Sequence, residues 1–236
     1  MSLITNSSAW TADEHKMFAD STRKLFDAEM APNIEKWAEQ GIVDRDFWKT
    51  VGQQGVMGGS IAEEYGGFGG GIGFDAITVY EQGRTGDTGW GYGIQSIVIH
   101  YINAYGSEEQ KKKWLPKLVS GDSVAAIAMT EPGTGSDLQN VQTHAEKDGN
   151  HYKINGSKIF ITNGHTADLV VVVAKTDRNA GAKGVSLIVL ETEDAEGFRR
   201  GRNLKKLGMK GSDTAELFFE DVRVPTANLL GPEEGQ

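Results

Sequence analysis

Ile154-Asn155-Gly156-Ser157-Lys158-Ile159-Phe160-Ile161-Thr162-Asn163-Gly164 sets two short runs of β-branched and aromatic residues on either side of an Asn-Gly pair. Asn-Gly tolerates the positive φ angles of a tight two-residue turn, so the stretch predicts a hairpin with strands at 151–154 and 158–162. The same grammar extends outward in both directions. Runs at 124–129, 142–146, 169–175, 185–190 and 216–220 are short, apolar or alternating, and separated by Gly, Asn or Asp. Many short strands with tight returns and no helices between them predict an antiparallel barrel or sandwich.

Upstream of Gly121 the period is helical instead. Thr11-Ala12-Asp13-Glu14 reads as a capping box, with Phe18, Leu25 and Phe26 on one face until Pro32 stops the helix. A second piece closes at Gly41, and a third, 47–54, closes at Gly55. Helices over 74–82 and 90–105 follow, the latter with Ile94, Ile97, Val98, Tyr101, Ile102 and Tyr105 on one stripe. Ser107-Glu108-Glu109-Gln110 is another capping box, opening a helix through Lys111, Lys112 and Lys113 whose basic run, beside two Glu, reads as a solvated face. The class is therefore α+β, with a helical domain at 1–121 and a β domain at 122–236.

Of the 31 Gly, 15 fall between 51 and 100, and the dense stretch at 63–73 suits a connecting loop. Gly71-Ile72-Gly73-Phe74-Asp75-Ala76 fits a loose dinucleotide pattern, but no strand precedes it, so it reads as a loop feeding a helix.

Composition narrows the function. With 24 basic and 33 acidic side chains the formal charge is −9, which argues against a nucleic-acid or anionic-membrane binder. There is no Cys, which removes disulfides, iron–sulfur clusters and thiol nucleophiles, so redox chemistry here requires a bound cofactor. The five His show no ligand spacing, and no metal site is expected. His144 and His151 read as polar positions on opposite sides of a hairpin. Residues 1–16 lack the marks of a secretion or import signal, and the apolar run at 169–174 is too short to span a bilayer. A cytoplasmic protein without membrane insertion is the expectation.

Two segments of the β half can carry chemistry. Ala128-Met129-Thr130-Glu131-Pro132-Gly133-Thr134-Gly135-Ser136-Asp137 leaves a strand for a loop rich in hydroxyls and free N–H groups, able to bond a phosphate or a polar ring edge. On strand geometry Phe160 and Thr162 point the same way, so one could stack on a flat ring while the other bonds its edge. A core Phe with a surface Thr fits that pattern equally well. Glu131 reads as a carboxylate fixing a turn by accepting from nearby backbone N–H groups.

Taken in order, residues 130–137, 154–164, Lys206-Leu207-Gly208-Met209-Lys210 and Phe219-Glu220-Asp221-Val222-Arg223-Val224-Pro225 resemble the successive signatures of the acyl-CoA dehydrogenase family. Glu63-Glu64-Tyr65-Gly66-Gly67 and Tyr105-Gly106-Ser107-Glu108-Glu109-Gln110 resemble its N-terminal domain, and Phe160 with 213–219 is similar to its long-chain branch. The resemblance implies an FAD enzyme that removes two hydrogens across the α and β carbons of an acyl-CoA thioester, giving the trans-2-enoyl-CoA. In the family a carboxylate takes the α proton, the β hydrogen leaves as hydride to flavin N5, and an electron-transferring flavoprotein reoxidises the cofactor.

Carried over by position, Ile127, Met129, Thr130, Gly135 and Ser136 line the FAD, with Thr130 at the flavin's polar edge and Ser136 near the pyrophosphate and the CoA arm. Phe160 packs on the ring face away from substrate, Ile161 lies beside it, and Thr162 bonds near N5. The family continues beyond the point matching Gly231-Pro232-Glu233-Glu234-Gly235-Gln236 into a helical domain that carries the catalytic Glu and most homo-oligomer contacts. No residue here inherits the base, so the expectation is a truncated representative with little activity alone. A non-catalytic flavin or CoA module, half of a split enzyme, or an oxidase on the same scaffold are the alternatives.

Overall fold

The computed structural model describes residues 10–235. The reading of 1–16 as free of a targeting signal falls partly on residues 1–9, outside the described residues, as does the terminal Gln236. Helices come first and strands second, as the change of period predicts.

Helix α1 (Asp13–Leu25) starts one residue later than its expected cap: Ala12 holds the N-cap position and donates its N–H to His15 Nδ1 at 3.1 Å. Pro32 deflects the chain rather than ending it. A π-helical turn at Phe26–Met30 and a 3-10 turn at Ala31–Asn33 lead directly into α2 (Ile34–Gln40), and Pro32 sits in the first turn of the new segment, where a missing N–H leaves no helical bond unmade. Helix α2 ends on the left-handed Gly41, and α3 (Arg45–Gln53), α4 (Gly73–Thr85), α5 (Tyr92–Tyr105) and α6 (Glu108–Val119) follow. The Ser107 capping box forms as read: Gln110 N–H donates to Ser107 Oγ at 3.3 Å, and Ser107 N–H to Gln110 Oε1 at 3.0 Å.

Aromatic packing holds this half together. Trp90 lies 4.9 to 5.6 Å from the rings of Tyr92, Phe47, Trp48 and Phe26, in stacked and edge-on arrangements that each contribute about 0.5–1.5 kcal/mol beyond burial. The stripe expected on α5 is split. Val98 and Ile102 are fully buried with Ile99, but Ile97 and Tyr105 are exposed, because the helix is apolar around more of its circumference than one core can cover.

The β half is one eight-stranded sheet ordered β6-β7-β3-β2-β4-β5-β8, with β1 beside β4. Its strands are β1 (Ala125–Ala128), β2 (His144–Asp148), β3 (His151–Thr162), β4 (Leu169–Lys175), β5 (Val185–Glu191), β6 (Phe198–Asn203), β7 (Thr214–Pro225) and β8 (Leu229–Leu230). Five pairings are antiparallel, as expected, but β1 and one residue of β2 run parallel to β4, so the sheet is mixed. A parallel pair needs a long crossover, and residues 129–168, containing the β2–β3 hairpin, supply it for β1 and β4.

The Asn155-Gly156 hairpin does not form. Its two predicted strands are one continuous β3, the turn lies at Gly149-Asn150, and His144 and His151 do fall on the two arms of that hairpin. Asn155 instead pairs across a bulge with Asp221, donating Nδ2 to Asp221 Oδ1 and accepting from Asp221 N–H, both at 2.9 Å. Gly156 takes φ 146° there, and a Cβ on it would lie 2.5 Å from Thr143 Oγ1. Asn-Gly thus serves its backbone freedom in a bulge rather than a turn.

Strand β4 reads as a continuous apolar run because both faces are covered. Val170, Val172 and Ala174 enter the sheet's own core, while Leu169 and Val171 pack with Ile99, Ile102, Trp114 and Leu118 of the helices. Strand β1 divides likewise, Ala126 and Ala128 to one side, Ala125 and Ile127 to the other. The floor of the helical domain is therefore the strand that leads into the hydroxyl-rich loop.

Candidate functional site

Strand β1 ends at Ala128 and the chain turns sharply at Glu131-Pro132-Gly133-Thr134, closed by Glu131 N–H to Thr134 O at 2.8 Å and Thr134 N–H to Glu131 O at 3.1 Å. Beside it runs β3, tied on by Ile159 N–H to Thr130 O at 2.9 Å. Met129, Thr130 and the 160–162 segment are thereby brought to one place. Gly135 and Ser136 lie on the exposed loop beyond the turn, and Cβ atoms placed on Gly133 or Gly135 would meet only open space.

Phe160 is one of five non-Gly residues with positive φ among the described residues, with Asn163, Asp194, Met209 and Asp221. It has φ 61° near the end of β3, at a bulge in the β3–β7 register, and the residue is 63% exposed. A bulky residue in the left-handed region costs roughly 1–2 kcal/mol, and exposing a Phe offsets none of it. Such strain collects at binding sites. Ile161 turns into the sheet core at 3% exposure, while Thr162 is half-buried, so Phe160 and Thr162 share the outer side with Ile161 inward. Ile161 can reach a ligand on this face only through its backbone, and Ile127, 9% exposed, packs toward the helices. Among the described residues, no partner accepts or donates to the hydroxyls of Thr130, Ser136 or Thr162. The result is an exposed ring with the unpartnered hydroxyls of Thr130 and Thr162 near it, and beyond the turn an exposed loop that carries Gly135 and Ser136.

Under the face lies a pair that residue spacing does not announce. Lys158 Nζ is fully buried and donates to Glu131 Oε1 at 2.9 Å and to Met129 O at 2.8 Å. Glu131 also accepts from Gln142 N–H at 2.6 Å and Thr143 N–H at 2.9 Å, which is the turn-fixing role its position suggests. Burial alone would push the Glu131 carboxyl up, but hydrogen bonds from Thr143, Gln142 and Lys158 hold it below its usual range. Burial pushes the Lys158 ammonium down, and Glu131 restores only part of the shift. Its signal in the sequence is a Lys at an inward position of an apolar strand.

Three further side chains fix the face to the helical half. Asn163, at φ 61° and buried, donates Nδ2 to Gly91 O at 3.1 Å and Ala125 O at 3.0 Å. Gln95 on α5, fully buried, donates to Leu118 O and Ser123 O and accepts from Ala125 N–H at 2.7 Å. Arg45 pairs with Asp168 and donates to Thr166 O at 3.1 Å.

Residues 12–122 match the sequence profile of the acyl-CoA dehydrogenase N-terminal domain, and residues 126–222 that of the acyl-CoA dehydrogenase middle domain. This chain belongs to the acyl-CoA dehydrogenase family. As a member, it is similar to the mitochondrial long-chain specific acyl-CoA dehydrogenase of Sus scrofa, 49% identical over 225 residues, covering 94% of this chain and 52% of the relative. Among solved structures it resembles an acyl-CoA dehydrogenase from Geobacillus kaustophilus at 46% identity and TM-score 0.93, covering 97% of this chain and 60% of the other. A glutaryl-CoA dehydrogenase from Mycobacterium smegmatis in complex with FADH2 matches at 32% identity and TM-score 0.86, over 95% of this chain and 57% of the other. The acyl-CoA dehydrogenase chain described here spans about half the length of the curated relatives it matches. No helix among its described residues is long and apolar enough to cross a membrane.

Proposed function

We propose that the face formed by residues 127–136 and 160–162 binds FAD, and that the protein serves the α,β-dehydrogenation of an acyl-CoA thioester to its trans-2-enoyl-CoA. The strained, exposed Phe160 carries this reading: it is a flat apolar surface held outward at a cost, near the unpartnered hydroxyls of Thr130 and Thr162. The donor set suits a flavin, which needs a ring to stack on and polar contacts along one edge. FAD, when bound, supplies the two-electron acceptor for the hydrogen leaving the β carbon.

The chain's own residues supply placement. With FAD bound, Phe160 would stack on the ring face away from substrate and keep water off it, Thr130 and Thr162 would donate to its polar edge, and the N–H groups near Gly135 and Ser136 would bond the pyrophosphate, Ser136 also reaching the CoA arm. Met129 and the Ile161 backbone would border the ring, and Ile127, packed toward the helices, would support the strand that leads to Met129. Glu131 is committed to Lys158 and two backbone N–H groups, so we assign no proton abstraction to it. We infer that this chain alone turns over little substrate, since losing an aligned base costs roughly 10²–10⁴ in rate.

The reading brings with it an electron-transferring flavoprotein as acceptor and homo-oligomeric assembly, both implied by the family. We also propose the division into domains at 121/122 and cytoplasmic residence; the pig relative is described as mitochondrial. The test is FAD titration followed by visible absorption, then anaerobic addition of acyl-CoA thioesters of several lengths. Saturable binding without bleaching is expected. Absence of binding overturns the flavin assignment, and rapid bleaching overturns the inference about the base.

A further inference from the structure

We propose that the buried Glu131–Lys158 pair is a positioning device for the ligand face, clamping the Met129–Thr130 strand exit, the start of the 142–143 segment and the Phe160 bulge into one rigid unit. The inference rests on the reading of that face as the flavin site and adds to it a residue pair that does not touch the flavin.

Its placement supports the role. Lys158 is two residues before the strained Phe160 and Glu131 is adjacent to Thr130, so the pair lies directly beneath the two segments that must face one ligand. One ammonium reaches Met129 O and Glu131; the carboxylate then reaches Gln142 N–H and Thr143 N–H. Three stretches far apart in sequence are thus joined through four bonds, with Ile159 N–H to Thr130 O as a fifth between them. Stability alone does not account for the pair. Buried ion pairs are commonly matched or exceeded by apolar residues of equal volume, because desolvation offsets their attraction. An apolar pair in this place could fill the space but could not fix a carbonyl and two N–H groups in register. The strain at Phe160 also requires an over-determined surrounding to persist.

The test uses the full chain, its Glu131→Leu and Lys158→Met variants, and the double variant Glu131→Leu/Lys158→Met. Each single change leaves a group without its partner and can unfold the protein; the double variant carries no unpaired charge. Hydrogen exchange is measured at Gln142, Thr143 and Ile159 and, as control, in the β4–β5 ladder at Val171 and Val189. In the wild type, Gln142 and Thr143 are expected to exchange as slowly as the ladder. In the double variant the ladder keeps its protection, exchange at Gln142, Thr143 and Ile159 rises about tenfold or more, and FAD affinity falls about tenfold.

Exchange at Gln142 and Thr143 in the wild type as fast as at Gly133 and Gly135 overturns the inference without any variant. So does a double variant whose loop protection and FAD affinity both match the wild type, since the pair would then act through charge balance alone. Failure of the wild type to bind FAD overturns the flavin reading instead, and the exchange pattern still decides whether the pair clamps the face. Loss of FAD affinity in Phe160→Ala but not in the double variant keeps the flavin reading and overturns the clamp.

Discussion

Replacing Phe160 by Gly and by Ala separates the cost of its backbone from the use of its ring. Both changes delete the same ring, from a residue that is 63% exposed and so loses little burial, and the difference between them reports the φ of 61°. In an ordinary strand Ala is the more stable by roughly 0.5–1 kcal/mol, because Gly loses more freedom on folding. At a left-handed position Ala pays a steric cost of about 1–2 kcal/mol that Gly avoids. Phe160→Gly should therefore be more stable than Phe160→Ala by about 0.5–1 kcal/mol, an inversion of the usual order. Urea unfolding followed by tryptophan fluorescence measures it, with equal m-values required for the comparison. Both variants should bind FAD about tenfold more weakly, the loss of one stacked ring. Ala matching or exceeding Gly in stability would show that Phe160 is not strained, and the main support for the face as a binding site would go with it.

Gly91→Ala puts a Cβ 1.9 Å from Asn163 Oδ1 and displaces the amide from Gly91 O and Ala125 O, for an expected loss of about 2–4 kcal/mol in urea unfolding. Gln95→Ala leaves Leu118 O, Ser123 O and Ala125 N–H without their partner in a dry interface and should cost about 3–5 kcal/mol, visible as a lower thermal midpoint. Stability should also depend on pH through Asp75, which accepts from Ser60 and Tyr92 at 2.7 Å and faces His100 at 3.5 Å. Burial pushes the Asp75 carboxyl up, but His100, Ser60 and Tyr92 hold it below its usual value, and hydrogen bonding to Asp75 holds His100 above its own. The Asp75 contribution is present above its unfolded value of 3.8 and lost as pH falls below it; the His100 contribution is present below 6.5 and lost as pH rises through its raised folded value. His100→Gln should flatten the decline on the alkaline side in urea midpoints taken from about pH 4 to 9, and an unchanged slope would remove His100 from the network.

The change from period 3.6 to period 2 near Gly121 was legible because helices up to Val119 precede strands from Ala125, each element keeping its own periodicity although one core is shared between the halves. The strand β6, Phe-Arg-Arg-Gly-Arg-Asn, was not, since an edge strand half in water needs no apolar alternation, and here Arg199 covers Phe218 at 4.2 Å instead. Asn155-Gly156 misled for a physical reason: the same positive-φ tolerance that makes a turn also makes a bulge, and only the partner Asp221 decides between them. At the candidate site the pattern placed Phe160 and Thr162 on one side, and Ile161 is indeed inward. Two things lay beyond it: the backbone inversion at Phe160, which has no local signal, and the Glu131–Lys158 pair, whose members are 27 residues apart. Long-range pairing of that kind is set by register, which the sequence specifies only through the whole sheet.

The most direct test of the flavin assignment is amide mapping by NMR while FAD is added to the chain. Saturable shifts confined to 129–136 and 159–162, saturating at about tenfold higher FAD in Phe160→Ala, are predicted. Shifts centred on the Gly71-Ile72-Gly73-Phe74-Asp75-Ala76 loop, or none at all, would contradict it.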